Sequence, residues 1–413
     1  MRLRRAVVAS LVSALLAWPA RAGDEEDLLR ELERMGATAQ GGAASPAELR
    51  ALVSEMLPRV ARVMRHAPPS RLDVRVVSRE EARTRLLAVL QRDYPGDALD
   101  RLSVALAAVG LVEAGTDLRA EAQALYGSNV SGFYDPHEHA LFLLNDQPLA
   151  AQSLVVSHEL AHAIQDEILP LDAASRKVRA SEDGQLALSA AIEGQAQEVA
   201  SLVMAEDVAE LGEGGGDLAA LLSESTAASA EMAGAQASVP WLGLQLRFPY
   251  TAGAGLVAAV RTKEDPSAAA LLRRPPASTA QVIDPALYRS DERPREAKLD
   301  LASRFPGSTP VYATTLGAAN VDFLGELHAL GNLGAGWRGD RMEAIRVGGR
   351  VIAVWAVAFR EAAQGDRLVR AWRTAGRDRG WAAQQAGDVA VLLVDVPAER
   401  VAEVARMSAS AFR

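Results

Sequence analysis

Two of the chain's six histidines fall four residues apart, in the run Ser157-His158-Glu159-Leu160-Ala161-His162-Ala163-Ile164-Gln165-Asp166. On an α-helix, positions four apart share a face about 6 Å apart along the axis, so two imidazoles at this spacing can offer nitrogens to one metal ion. Zn2+ suits these donors, because imidazole nitrogen and carboxylate oxygen are among its common ligands. Glu159 stands beside the pair without needing to ligate. Its carboxylate is placed to take a proton from water whose pKa zinc lowers to about 7, and to pass it on to a leaving group. Together the three residues describe two metal ligands and a general base, the parts needed for metal-assisted hydrolysis. The competing reading is a surface helix that happens to carry two histidines and a glutamate.

These side chains need a rigid carrier. Leu154, Val155 and Val156 upstream, with Leu160, Ala161, Ala163, Ile164 and Ile168 downstream, give 149–168 the character of a buried helix ending at Pro170. A hydrolytic zinc site also needs a third protein ligand and an open fourth position. The best candidate is Glu193, in a second helical segment over 184–211. Small residues surround it in Ala190-Ala191-Ile192-Glu193-Gly194-Gln195-Ala196, which would let the two helices approach closely. A solvated helix carboxylate is the plain alternative, and Glu182, Asp183 and Glu198 are the competing acids. Asp166, one turn beyond His162, could orient a ligand by a hydrogen bond or simply be a helix-end carboxylate. Residues 129–134 and 140–144 read as strands around Asp135-Pro136-His137-Glu138, a β-hairpin directly before the first helix. His137 and His139 fall in that hairpin, where histidines usually face solvent. His66 and His328 have no partners in sequence and read as structural.

The motif, with a glutamate on a following helix, resembles the zincin metallopeptidases of gluzincin type. More narrowly, GFYDP at 132–136, HELAHAIQDE at 158–167, AIEGQA at 191–196, FPYTAG at 248–253, STAQVIDP at 278–285 and GWRGDR at 336–341 resemble a poorly characterised family of secreted bacterial HExxH proteins. The resemblance runs from about residue 70 into the C-terminal region. It implies an α+β, helix-rich fold with a short antiparallel sheet in the catalytic domain. It also implies zinc on His158, His162 and Glu193, with Glu159 as catalytic base acting on peptide or protein. In zincins an edge strand at this point pairs with extended substrate, which would make Gly132-Phe133-Tyr134 the cleft floor; a hairpin that merely covers the helix is the alternative. Tyr250, in an apolar segment of the FPYTAG block, is the candidate donor to the developing oxyanion, against a buried tyrosine satisfied by a backbone carbonyl. One departure is Asp284, where the family's block has a histidine before the proline. A silent zinc-binding envelope protein and a hydrolase of cell-wall peptide are the other functions compatible with these residues.

The N-terminus is basic through Arg5, apolar from Ala6 to Trp18, and ends in Ala20-Arg21-Ala22, which reads as a signal peptide over 1–22. Its removal takes away four arginines and no acids, moving the net charge from −9 to −13. So acidic a chain argues against nucleic acid as partner. The absence of cysteine excludes disulfides, a thiolate ligand and a lipobox anchor. No later run is apolar enough for an integral membrane anchor, so a secreted or periplasmic location is expected. The domain expectation is an N-terminal helical segment over 23–65, a zincin-like domain over 66–310, and a small α+β region over 311–413. Within these, 71–77 reads as a strand, 79–94 and 98–126 as helices, and 264–310 as irregular. Residues 341–347 and 350–359 read as strands joined at Gly348-Gly349, 360–374 as a helix, 388–396 as a strand and 397–408 as a helix.

Overall fold

The computed structural model describes residues 43–129, 131–209, 215–235, 237–377 and 379–412. The expected signal peptide, the first part of the 23–65 segment and most of the glycine run at 212–216 lie outside them. The described chain is mixed α+β and 56% helical, with two small sheets.

Helix α1 (Pro46–Met64) starts at a capping box between Ser45 and Glu48 and buries Leu49, Leu52, Val53, Met56 and Val60 along one stripe. Strand β1 (Asp73–Val77) leads to α2 (Arg79–Asp93), capped by Ser78. The expected helix over 98–126 is two helices, α3 (Ala98–Ala108) and α4 (Leu118–Asn129). The break has a backbone cause: Gly110 and Gly115 lie at φ +71° and +85°, outside the helical region. Gly110 also lies so close against the Trp381 ring that a Cβ would sit 2.4 Å from it.

Strands β2 (Gly132–Asp135) and β3 (Ala140–Leu144) form the expected hairpin. The sheet is mixed, however, not antiparallel: its order is β1-β3-β2, and β1 pairs parallel to β3. The three helices between β1 and β2 form the crossover that a parallel pair requires. All five residues of β3 are buried, and β2 is left as an edge.

Helix α5 (Leu149–Ile168) carries the HExxH run and has the expected limits. After α6 (Leu171–Val178) come three long helices, α7 (Glu182–Ala209), α8 (Gly215–Ala235) and α9 (Pro240–Val260). Helix α7 packs against α1, α5, α8 and α9. Its contact with α9 is tight because Gly194 meets Gly253, where an added Cβ would lie 2.5 Å from backbone.

Three short helices follow within the mostly irregular stretch 264–310: α10 (Ala270–Arg273), α11 (Thr279–Ile283) and α12 (Pro285–Arg289). The C-terminal sheet is antiparallel throughout, in the order β4-β5-β6-β8-β7. Strands β5 (Trp337–Val347), β6 (Arg350–Phe359) and β8 (Val389–Val394), with α14 (Ala362–Ala375) and α15 (Val401–Ala409), match the sequence reading within a few residues. Strand β4 (Thr309–Thr314), helix α13 (Gly317–Leu327) and strand β7 (Trp381–Ala386) are additional. One face of the sheet shares the largest apolar cluster with α3, α7 and α9, and the other is covered by α15.

The GWRGDR block acts as a clasp in this sheet. Asp340 is buried and accepts from the Leu316 and Gly317 amides at the start of α13, and from the Trp337 and Trp355 indoles. Gly336 and Gly339 leave room for the Gln364 amide group and the Arg295 carbonyl.

Candidate metal centre

Helix α5 presents His158 and His162 toward Glu193 on α7. His158 Nε2 lies 3.0 Å from His162 Nε2 and 3.1 Å from Glu193 Oε2, and His162 Nε2 lies 3.5 Å from that same oxygen. Four ligands held tetrahedrally at about 2.0–2.1 Å stand about 3.3 Å from one another. The triangle of donors therefore fits a zinc-sized ion. The side chains keep 15%, 10% and 24% of their surface exposed, so the triangle opens to solvent on one side. Glu159 is also within 4.8 Å of both histidine nitrogens. Its Oε2 is engaged by the Tyr134 amide at 2.8 Å, and Glu193 reaches closer to the imidazoles, so Glu193 is the better placed of the two carboxylates to join them at a metal.

The tautomer of His162 is fixed by its neighbours. The Gln165 side chain donates to the Ile192 carbonyl at 2.9 Å and to Gln195 Oε1 at 2.6 Å, which turns its own oxygen toward His162. His162 Nδ1 accordingly donates to Gln165 Oε1 at 2.8 Å, which turns the other ring nitrogen, Nε2, toward His158 and Glu193. This is the orienting role the sequence suggested for Asp166. Asp166 is otherwise occupied: it accepts from Tyr134 Oη, faces His139 Nδ1 at 3.1 Å, and receives the Leu171 amide at the start of α6. It pins the hairpin to α5 and does not bond His158, His162 or Glu193.

The electrostatics favour a cation. Burial pushes Glu193 upward, but His162 and His158 outweigh it and hold the carboxyl well below its usual range. Burial disfavours charge on His162, yet Glu193 and Glu159 raise it to about 9. Burial also raises Glu159, against the opposing pull of the two imidazoles. Two carboxylates and two imidazoles thus share one partly desolvated corner.

The competing acids are all committed elsewhere. Glu182 accepts from Tyr94 and Tyr312, Asp183 from Thr279, and Glu198 from Arg261. Asp284 caps α12 by accepting from the Ala286 amide, which gives the departure at that position a structural role. His66 bonds the neighbouring Ala67 carbonyl, and the amide of His137 bonds Asp135. Burial lowers His328, which sits beside the Gly110 backbone.

The donors line a cleft of about 510 Å³ whose wall includes Gly132, Phe133 and Tyr134 of the hairpin and Tyr250 of α9. The Tyr250 ring stacks 6.2 Å from the His158 ring, so the candidate oxyanion donor and the candidate metal donors face one space. Arg179, Asp93 and Gln245 also line it and were missed in the sequence. A usable signal was present only for Gln185 and Ser189, which lie eight and four residues before Glu193 and so on the same face of α7. Comparisons with protein-family models, with characterised proteins and with solved structures find no match for this chain.

Proposed function

We propose that the protein is a secreted or periplasmic zinc metallopeptidase of zincin type, in which His158, His162 and Glu193 hold the metal and Glu159 is the general base. The observation that carries this reading is the 3.0–3.5 Å triangle of imidazole and carboxylate donors beside a second, buried carboxylate. The donor set is the one catalytic zinc takes, with one side left for water and substrate. Zinc, when bound, supplies Lewis acidity that makes water acidic near neutral pH and polarises the attacked carbonyl.

The chain's own residues do the rest. Glu159 takes the proton of the attacking water and delivers it to the leaving amine; its raised pKa suits a group that must both accept and return a proton. The Tyr134 amide holds that carboxylate in place. Since Tyr134 N–H points away from β3, alternation along the ladder turns the backbone of Gly132 and Tyr134 outward. The Gly132 amide and the two carbonyls are then the groups that can pair with an extended peptide, and their use for substrate favours peptide over other hydrolysable bonds. Tyr250, beside His158, donates to the oxygen on which charge develops.

The test is Glu159→Gln. This variant is expected to keep zinc at the wild-type ratio and lose peptide hydrolysis by about 10²–10⁴-fold. Retained turnover would remove Glu159 from the mechanism.

A further inference from the structure

We propose that Arg179 forms a carboxylate-binding subsite at one end of the metal cleft, selecting peptides with an anionic group two to four residues from the bond that is cut. This inference rests on the metallopeptidase reading for the meaning of that bond.

Arg179 follows α6 directly and lines the same cleft as Glu159, Glu193 and Tyr250; it is the one arginine or lysine among the described lining residues. The arginines near it are paired: Arg176 with Asp172, and Arg92 with Asp135. Among the described residues, Arg179 has no carboxylate within 4 Å. The acid that faces it is Asp93 on α2, which also lines the cleft and feels the arginine's charge without forming an ion pair. Burial raises the Asp93 carboxyl above its usual range, and the arginine's charge opposes that rise. A guanidinium left half-buried and unpaired in a cleft wall is a ready two-pronged donor for a carboxylate.

Distance fixes the register. The Arg179 carbonyl accepts from Gln185 Nε2 at 3.3 Å, which ties this residue to the first turns of α7. From Gln185 to Glu193 is eight residues of helix, about 12 Å. An extended peptide covers that in three to four residues, and the reach of the arginine side chain shortens the count. Gln245 lines the same space, and its Nε2 is a buried donor without a hydrogen-bond partner.

The carboxylate can come from the peptide's C-terminus or from an aspartate or glutamate side chain. The experiment uses the zinc-loaded full chain carrying Glu159→Gln, so that bound peptide is not consumed. Fluorescent peptides of one neutral sequence are titrated in three forms: free acid, C-terminal amide, and amide with one internal glutamate. Adding Arg179→Gln is expected to weaken a carboxylate-bearing form about tenfold and leave the neutral amide unchanged. Loss confined to the free acid assigns the C-terminus, and loss confined to the glutamate peptide assigns a side chain. Equal weakening of all three forms, or of none, overturns the subsite. Zinc content and wild-type turnover are assayed separately, so a protein that binds these peptides selectively but cuts nothing would sink the peptidase reading and leave the subsite standing.

Discussion

Glu159 and Glu193 approach the same two imidazoles, and the proposed division between base and ligand rests on their other partners. Glu193 reaches both imidazoles at 3.1 and 3.5 Å, whereas Glu159 is tied to the Tyr134 amide. The pair His158 and His162 was legible because helical spacing alone brings them together. Glu193 was legible because small neighbours mark a close helix contact. Gln165 was not, since both it and Asp166 lie on the face of His162, and only the hairpin's claim on Asp166 decides between them. Replacing Gln165 by Leu is expected to lower zinc affinity by about 10–100-fold, measured by competition with a chelator; unchanged affinity would mean the tautomer needs no lock. Tyr250→Phe is expected to lower kcat by about 10²-fold or more, with KM little altered, in steady-state peptide assays. An equal rise in KM instead would make it a ground-state contact.

At the scale of elements, the site depends on how closely α7 can lie against its neighbours. Gly253 stands where a Cβ would meet the Ala190 carbonyl at 2.3 Å, one turn of α7 from Glu193 and one turn of α9 from Tyr250. Gly253→Val is therefore expected to cost about 1–3 kcal/mol of stability by overpacking and to loosen zinc, read by urea denaturation and metal retention together. A variant as stable and as well metallated as wild type would contradict this account of the AIEGQA and FPYTAG blocks. Helices α5 and α7 could be read from periodicity because their burial is dense and their ends are marked. Helix α13 could not, because Asp340, more than twenty residues later, receives its first amides. Strand β7, Trp-Ala-Ala-Gln-Gln-Ala, has little strand propensity of its own and exists by pairing with β8.

Over the whole molecule, the C-terminal sheet and the helices that carry the cleft meet in one apolar cluster, an association that composition along the chain did not show. Buried acids mark the junction. Glu182 accepts from Tyr312 of β4, Asp183 from Thr279 of α11, and burial raises both to about 7. An unfolded chain would ionise them near 4.5 and 3.8. The folded state binds these protons more tightly, so their contribution to stability is full below the unfolded values and is lost as pH rises through about 7. With chelator present, the urea midpoint is expected to fall between pH 5 and pH 8, and Glu182→Gln is expected to narrow that fall; an unchanged gap would remove Glu182 as a source. No helix among the described residues is long and apolar enough to cross a membrane. The central claim is a zinc site built by His158, His162 and Glu193, and the zinc-to-protein ratio of the purified chain, wild type against Glu193→Ala, tests it most directly. One zinc per wild-type chain, with weakened retention in the variant, is the result expected. No zinc after reconstitution, or equal retention in both proteins, would contradict it.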